Sequence, residues 1–358
     1  MNSIIPTALL TLLALVNFGQ ACIDKSIYYE IDNEIEKIAS SINAEEQLVH
    51  FYGGIVRLAA HDFMDYDQNS DTSFGSDGCI DWNHEVNKGL ETIWCTSCPL
   101  TKLYRKKYSF ISKADFWIAS ANAVIRQLSK NQSFDLANTF LWGRKDATTC
   151  KGSGNRIPLA TGTCQDVEDT MLDAMGLEWR DAVALLGAHT IGKGHEAVRS
   201  PFERHDGYWM PTVADSLRFD KQYYEELILR TWRARNSGTD LEDFTASTEE
   251  THEHPQIMLK SDVCLLYNSD SNYPCCSKTH RFRNGRNQCD VEQVLSKKKC
   301  RRYSNRDTRM QAVNAVLEYL GGSSPNDNQG PFYRAFNTAW YKATTNGHDN
   351  LKPLRRMC

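Results

Sequence analysis

Two short stretches carry residues whose types and spacing suit proton and metal chemistry. The first is RLAAHD, Arg57 to Asp62, in which Arg57 and His61 stand four residues apart. On a helix that spacing places both side chains on one face. His61 can then accept a proton as a base and return it as an acid. Arg57 stays charged and stabilises an anion as it leaves. The second stretch is DAVALLGAHTIG, Asp181 to Gly192, where Ala182, Leu185 and Leu186 recur at helical spacing on the face that carries His189. A neutral imidazole held on a rigid helix is the usual proximal ligand of a haem iron. Its second ring nitrogen needs an acceptor, and carboxylates commonly fill that role. Asp262, within MLKSDVCLL, is the candidate. It lies in an otherwise apolar helical stretch, where an unpaired carboxylate is costly. If peroxide meets iron between these groups, His61 moves a proton from the inner to the outer oxygen while Arg57 favours cleavage of the O–O bond.

The elements that must hold these residues are mostly helical. Periodicity runs from Glu30 to Ala60 in two pieces, the second starting near Ala44 and carrying Arg57 and His61. From Asp62 to Asp81 the chain turns polar and rich in Asp, Ser and Gly, a long ordered loop of a kind uncommon without a task, such as ion binding. Helical patterns return over Ile111–Leu128, Asp166–Gly176, Glu178–Gly192, Asp220–Arg233, Pro255–Tyr267, Asn305–Tyr319 and Gly330–Thr344. Trp142–Thr163 and Lys193–Arg218 read as loop or irregular connection, and strand signals are few and short. The expected class is mainly α.

The chain has 358 residues, with ordinary charged and apolar fractions and a net charge of −4, which favours no polyanionic partner such as nucleic acid. Met1 to Ala21 reads as a secretory signal: Ile4 to Val16 are nearly all apolar, and Gly19, Gln20 and Ala21 offer small residues for cleavage. That apolar run is short for a bilayer span, and no other segment is long and apolar enough. All twelve cysteines follow Ala21, so structural disulfides in an oxidising compartment are expected, Cys95 and Cys98 among them. Asn131-Gln132-Ser133 is a glycosylation acceptor pattern. Residues 269–304 form a Cys-rich basic segment with Lys297, Lys298, Lys299, Arg301 and Arg302 nearly in a row. A solvated face is its ordinary reading, and a weak contact with an acidic polymer is the other.

The motifs together resemble the plant-type (non-animal) haem peroxidase superfamily. RLAAHD is similar to its distal motif and VALLGAHTIG to its proximal one. SKADFWIASA from Ser112, GRKD from Gly143 and FDKQYYEELI from Phe219 match its structural signatures. RIPLATG followed by AMGLEWRDAVALLGAHTIG looks most like the ascorbate-peroxidase branch. The likeness runs from about Ala44 to Leu266 and resumes over Gly330–Ala343. It implies a haem peroxidase fold, two helical halves sandwiching haem b, with a distal half over roughly 22–165 and a proximal half over 166–358. It implies hydrogen peroxide as oxidant, a ferryl intermediate and a small-molecule reductant, phenols or other small aromatics in particular. Asn87 falls where the family's Asn orients the distal His, His189 where its iron ligand stands, and Asp262 where its proximal carboxylate belongs. It further implies two cation sites, which hard oxygens would fit for calcium. The distal one takes Asp62, Asp77 and the Gly75 carbonyl; the proximal one takes Thr190, Asp215 and Asp220, with Val213 offering only its carbonyl.

Several positions depart from the pattern. Ala60 replaces the bulky aromatic before the distal His, which makes a roomier pocket, and Phe63 follows Asp62 where secreted relatives often carry Cys or Ala. Cys79 stands where a serine hydroxyl is expected and is open to a disulfide instead. Val198 falls at the ascorbate branch's arginine position with Arg199 beside it, and Trp209 matches that branch's proximal tryptophan only if a few residues are inserted. The family pattern has no counterpart of the 269–304 insertion. The leading expectation is a secreted peroxidase with one-electron donors. Its rivals are a haem-binding secreted protein with little turnover and a peroxygenase-like oxygen transfer through the pocket that Ala60 opens.

Overall fold

The computed structural model describes residues 22–71, 74–158, 162–194, 207–230, 232–235, 243–246, 256–266, 309–321 and 329–355. The proposed signal, Val198, Arg199 and the basic insertion lie outside the described residues.

Helix α1, Lys25–Ser40, starts where the Asp24 side chain accepts from the Ile27 N–H, and its Tyr28, Ile31 and Ile35 are buried. Helix α2, Glu45–Phe63, carries Glu45 and Glu46 in its first turn, where the helix dipole favours negative charge. It buries Val49, Ile55, Val56, Leu58, Ala59 and Phe63. A short helix α3, Pro99–Leu103, runs on into a π-type turn at Tyr104–Tyr108. Helix α4, Lys113–Leu128, is capped by Ser112 and is buried without interruption from Ala114 to Ile125. α1, α2 and α4 pack into one layer, braced by buried Asp32, which pairs with Arg126 and accepts from Gln127.

On the other side, α5, Cys164–Val167, continues as a π-type stretch Glu168–Ala174, and α6 spans Trp179–Leu186. α7 is Gln222–Leu229, α8 is the single turn Lys260–Val263, α9 is Met310–Tyr319 and α10 is Gly330–Thr345. α10 bridges the two sides. It lies against α6, where Lys342 reaches Asp181 at 2.7 Å, and its Trp340 meets Phe63 of α2 edge-on at 5.3 Å. The Trp340 indole N–H also donates to Asn122 of α4 at 2.8 Å. A buried pair, Arg144–Asp115 at 2.8 Å, joins the same seam because Arg144 also donates to the Thr344 carbonyl. The fold is mainly α, as expected, and this seam keeps both histidine-bearing elements in one rigid frame.

Three elements differ from the sequence reading. The α6 helix ends at Leu186, and Gly187–Thr190 tighten into a 3₁₀ turn, so His189 stands just past the helix rather than on it. Gly187 is what fits there: a Cβ would lie 2.3 Å from the Tyr224 hydroxyl. Helix α7 stops at Leu229, short of the expected Arg233, because Arg230 is extended and Trp232–Arg235 forms strand β4. The stretch expected as a helix over Pro255–Tyr267 is instead a strand, Ile257–Leu259, followed by the single turn α8. With Asp243–Ala246 these strands form an antiparallel sheet of three. Alternation is weak in such short strands, and tertiary pairing decides them.

Within the described residues disulfides join Cys79–Cys150, Cys95–Cys98 and Cys164–Cys264, and Cys22 is disulfide-bonded as well. Among the described residues no cysteine is free. Cys164–Cys264 is fully buried and closes a separation of 100 residues between α5 and the end of α8. Replacing both with Ala is expected to lower the unfolding free energy by as much as about 4.7 kcal/mol, the loop-closure value for that length. Denaturant unfolding of the full chain reads it, and an unchanged midpoint would contradict this role.

Candidate active site

The distal wall is built on α2. Gly53, Arg57 and His61 recur every four residues and so share one face. A short 3₁₀ turn, Glu85–Asn87, fixes both functional side chains. His61 Nδ1–H donates to Asn87 Oδ1 at 2.8 Å. The Asn87 amide is itself held, since its Nδ2 donates to the Asp81 carbonyl at 2.9 Å, which leaves Oδ1 facing the ring. That arrangement puts the His61 proton on Nδ1 and keeps Nε2 as the free base. Arg57 Nε donates to that Nε2 at 3.3 Å, and the guanidinium reaches the Val86 and Lys88 carbonyls at 2.6 and 2.8 Å. Burial, the Arg57 charge and His189 push His61 down to about 3, so its ring is neutral across the physiological range. Burial brings Arg57 down to about 10, which leaves it charged.

The proximal wall centres on His189. Its Nδ1 donates to Asp262 Oδ1 at 2.9 Å. Asp262 is fully buried, whereas the His189 side chain keeps 27% of its surface accessible. The carboxylate also accepts from the Tyr223 hydroxyl at 2.7 Å on Oδ1 and from the Leu259 N–H at 2.8 Å on Oδ2. The latter bond caps α8 and seats Asp262 at the strand-to-turn junction. Trp209 stacks flat on His189, with centroids 4.2 Å apart and planes at 9°. The antiparallel pairing of Lys193–Gly194 with Gly207–Tyr208 returns the chain to His189 and puts Trp209 there.

His61 lies close enough to His189 to feel its charge. A glycine pair sets the approach of their supports. A Cβ on Gly53 would lie 2.7 Å from the Gly192 Cα, so α2 and the turn after His189 meet backbone to backbone. The residues fit a haem iron: among the described residues His189 Nε2 has no hydrogen-bond partner, its ring is accessible, and its Nδ1 is fixed by a buried carboxylate. Arg57, His61 and Ala60 also keep accessible surface, as side chains lining a cleft do.

The distal loop gathers buried acids. Asp62 accepts from the Gly78 and Cys79 N–H groups at 3.0 Å each, and Asp65 accepts from Gly75 at 2.8 Å. Among the described residues Asp65 Oδ2, Ser76 Oγ and Asp77 Oδ1 are buried without a partner. Burial, reinforced for Asp62 by Asp77 and for Asp65 by both other carboxylates, pushes Asp62 well up and Asp65 to about 9; burial alone is the leading cause for Asp77, at about 7. Cys79 is in its disulfide with Cys150 and offers no hydroxyl-like donor. Asp65 was not anticipated; its position in a loop of scattered Asp residues gave no spacing signal. On the proximal side Thr190 Oγ1 reaches Asp220 at 3.3 Å, but Asp215 is turned to Thr212 at 2.7 Å and Arg218 at 3.2 Å. Among the described residues no three His, Cys, Asp or Glu side chains are arranged as a metal cage.

Comparison with known proteins identifies the family. The family model described as peroxidase matches residues 35–281. A protein of Yarrowia lipolytica (strain CLIB 122 / E 150), provisionally named as a heme-binding peroxidase, is 30% identical over 226 residues, 61% of this chain and 67% of its own. L-ascorbate peroxidase 3 of Arabidopsis thaliana is 33% identical over 178 residues, covering 49% of this chain and 55% of its own. The mitochondrial cytochrome c peroxidase of Emericella nidulans is 29% identical over 255 residues, 68% of this chain and 62% of its own. The chain thus spans between about half and two thirds of these relatives. It belongs to the peroxidase family, within the plant-type haem peroxidase superfamily.

The glycine contact gives a direct test of how the two walls are spaced. Gly53→Ala removes a residue unfavourable in a helix by about 1 kcal/mol. Overpacking against Gly192 should outweigh that gain, costing about 1–3 kcal/mol. Chemical unfolding of the variant should show net destabilisation; a stabilised protein would mean that the two backbones do not meet.

Proposed function

We propose that the chain is a secreted haem b peroxidase that uses hydrogen peroxide and oxidises small phenolic or other aromatic donors one electron at a time. The observation that carries the reading is a pair of neighbouring imidazoles, one bound to a buried carboxylate and one held as an unprotonated base beside a charged guanidinium. His189 would hold the haem iron through Nε2, and the bound haem supplies the redox chemistry. The protein's own part is proton handling. His61 Nε2 takes the peroxide proton and returns it to the departing oxygen, which leaves as water. Asn87 keeps the ring in the tautomer that leaves Nε2 free. Arg57 supplies positive charge at the same place. Asp262 holds the His189 ring in position and strengthens it as a donor. Phenolic donors are preferred over ascorbate because the sequence lacks a clean match at Val198 and Arg199, and because Ala60 leaves the distal side open.

The signs of the two shifts define a pH window. His61 works only unprotonated, so the rate of reaction with peroxide should fall as pH drops through about 3. Arg57 works only charged, so the rate should fall again as pH rises through about 10. Between these limits stopped-flow mixing with peroxide should give a flat profile. His61→Leu should slow that step by about 10²–10⁴-fold, the usual worth of general acid–base catalysis, with haem occupancy retained. A variant as fast as the parent would rule out the assignment.

Export and calcium belong to the same reading. Export is supported by the apolar run before Cys22, by the disulfides, and by Asn131, which is exposed in a left-handed turn at φ 54°. Calcium at the distal loop is supported by the three unpartnered buried oxygens of Asp65, Ser76 and Asp77, which hard-cation binding would satisfy. At the proximal side Thr190 and Asp220 are the better-placed pair, since Asp215 is bound to Arg218. Protein made through a eukaryotic secretory route should begin at Cys22 and carry calcium that a chelator removes with loss of stability. Intact mass, metal analysis and thermal unfolding read these together. An uncleaved start and a metal-free chain indifferent to chelator would contradict both points.

A further inference from the structure

Asp262 does more than receive His189. Its Oδ1 carries two donors at once, His189 Nδ1 at 2.9 Å and the Tyr223 hydroxyl at 2.7 Å, while Oδ2 is taken by the Leu259 N–H. Two donors on one oxygen compete for the same charge. The Tyr223 ring is fully buried and stands 6.2 Å from His189 at 75°, so it cannot turn its hydroxyl to water. Burial and the carboxylate raise its ionisation far above the usual tyrosine range, so the hydroxyl remains a donor. Among the described residues no side chain other than His189 and Tyr223 donates to Asp262. Trp209 stacks on the imidazole, and among the described residues it makes no hydrogen bond to the carboxylate.

We propose that Tyr223 is a positioning and tuning residue: by sharing Asp262 Oδ1 with His189, its hydroxyl weakens the carboxylate's pull on the imidazole proton and so limits how strongly His189 donates to the haem iron. This rests on the proposed function, in which His189 is the iron ligand. A weaker donor stabilises ferric iron less, so the hydroxyl raises the ferric/ferrous potential above what Asp262 alone would set. Tyr224 provides an internal comparison. It is equally buried and adjacent, but its hydroxyl donates to the Val183 carbonyl at 3.0 Å, away from the carboxylate.

The test uses the full chain loaded with haem. Tyr223→Phe removes the hydroxyl and keeps the ring. The expected result is a shift of the ferric/ferrous midpoint to more negative potential, on the order of a tenfold change in the ferrous-to-ferric ratio, which is 59 mV for one electron. The iron–imidazole stretch of the ferrous protein in resonance Raman should rise in frequency. Tyr224→Phe should move neither. If the Phe variant does not load haem, site-specific 3,5-difluorotyrosine at 223 replaces it. Its more acidic hydroxyl should shift the potential and the stretch in the opposite directions. Unchanged values in Tyr223→Phe, or equal shifts in Tyr224→Phe, overturn the proposal while the parent's iron–imidazole band still supports the wider reading. A parent without that band overturns both.

Discussion

One buried carboxylate organises the proximal half of this protein. Asp262 has no accessible surface, and a lone charge there would cost several kcal/mol. Three donors offset that cost, and they come from three separate elements: the turn after α6, helix α7 and the strand before α8. The same bonds therefore do two things. They make the charge tolerable, and they force the imidazole of His189, the phenol of Tyr223 and the junction between the Ile257–Leu259 strand and α8 into one arrangement. Cys264, two residues on, is tied to Cys164 in the buried disulfide that pins this junction to α5. The orientation of His189 is thus set by covalent and charged contacts, more rigid than packing alone would give.

The distal wall uses a different device. No acid holds His61; its partner is a neutral amide, and its neighbour is a cation. A carboxylate on His61 would favour the protonated ring, whereas here burial and the Arg57 charge outweigh the Asn87 hydrogen bond and leave it unprotonated. The two histidines share a residue type and differ in role because one second partner is anionic and the other is not. The segment 86–88 supplies the Asn87 amide and two carbonyls for Arg57, so both functional side chains are set by one short turn. A backbone contact between Gly53 and Gly192 then joins the two walls at a fixed separation.

Much of this was legible in the sequence. Arg57, His61, Asn87, His189 and Asp262 fall into place because strong motifs bind them to particular positions, and the long helices α1, α2, α4 and α10 have clear periodicity. What was not legible has common causes. The early end of α7 and the strand at Ile257–Leu259 depend on pairing with distant segments, which local pattern does not record. His189 leaves the helix because Gly187 is pressed against Tyr224, a contact 37 positions away in sequence terms that no spacing reveals. Trp209 was recognisable only if residues were inserted before it, because its place on His189 depends on the pairing of Lys193–Gly194 with Gly207–Tyr208. The Tyr223 hydroxyl lies in a motif, FDKQYYEELI, that marks a helix but says nothing about which of two adjacent tyrosines meets the acid. The buried oxygens of the distal loop include those of Asp65, whose hydrogen bond from the Gly75 N–H depends on a fold-back that composition cannot specify.

The central claim is that one imidazole alone is a ligand and the opposite one alone is a base. Electron paramagnetic resonance of the ferric, haem-loaded full chain at neutral pH tests it most directly. The account predicts a high-spin signal, with one haem per chain and the signal lost in His189→Ala. A low-spin spectrum of two bound imidazoles, or a folded chain that takes up no haem, would contradict it.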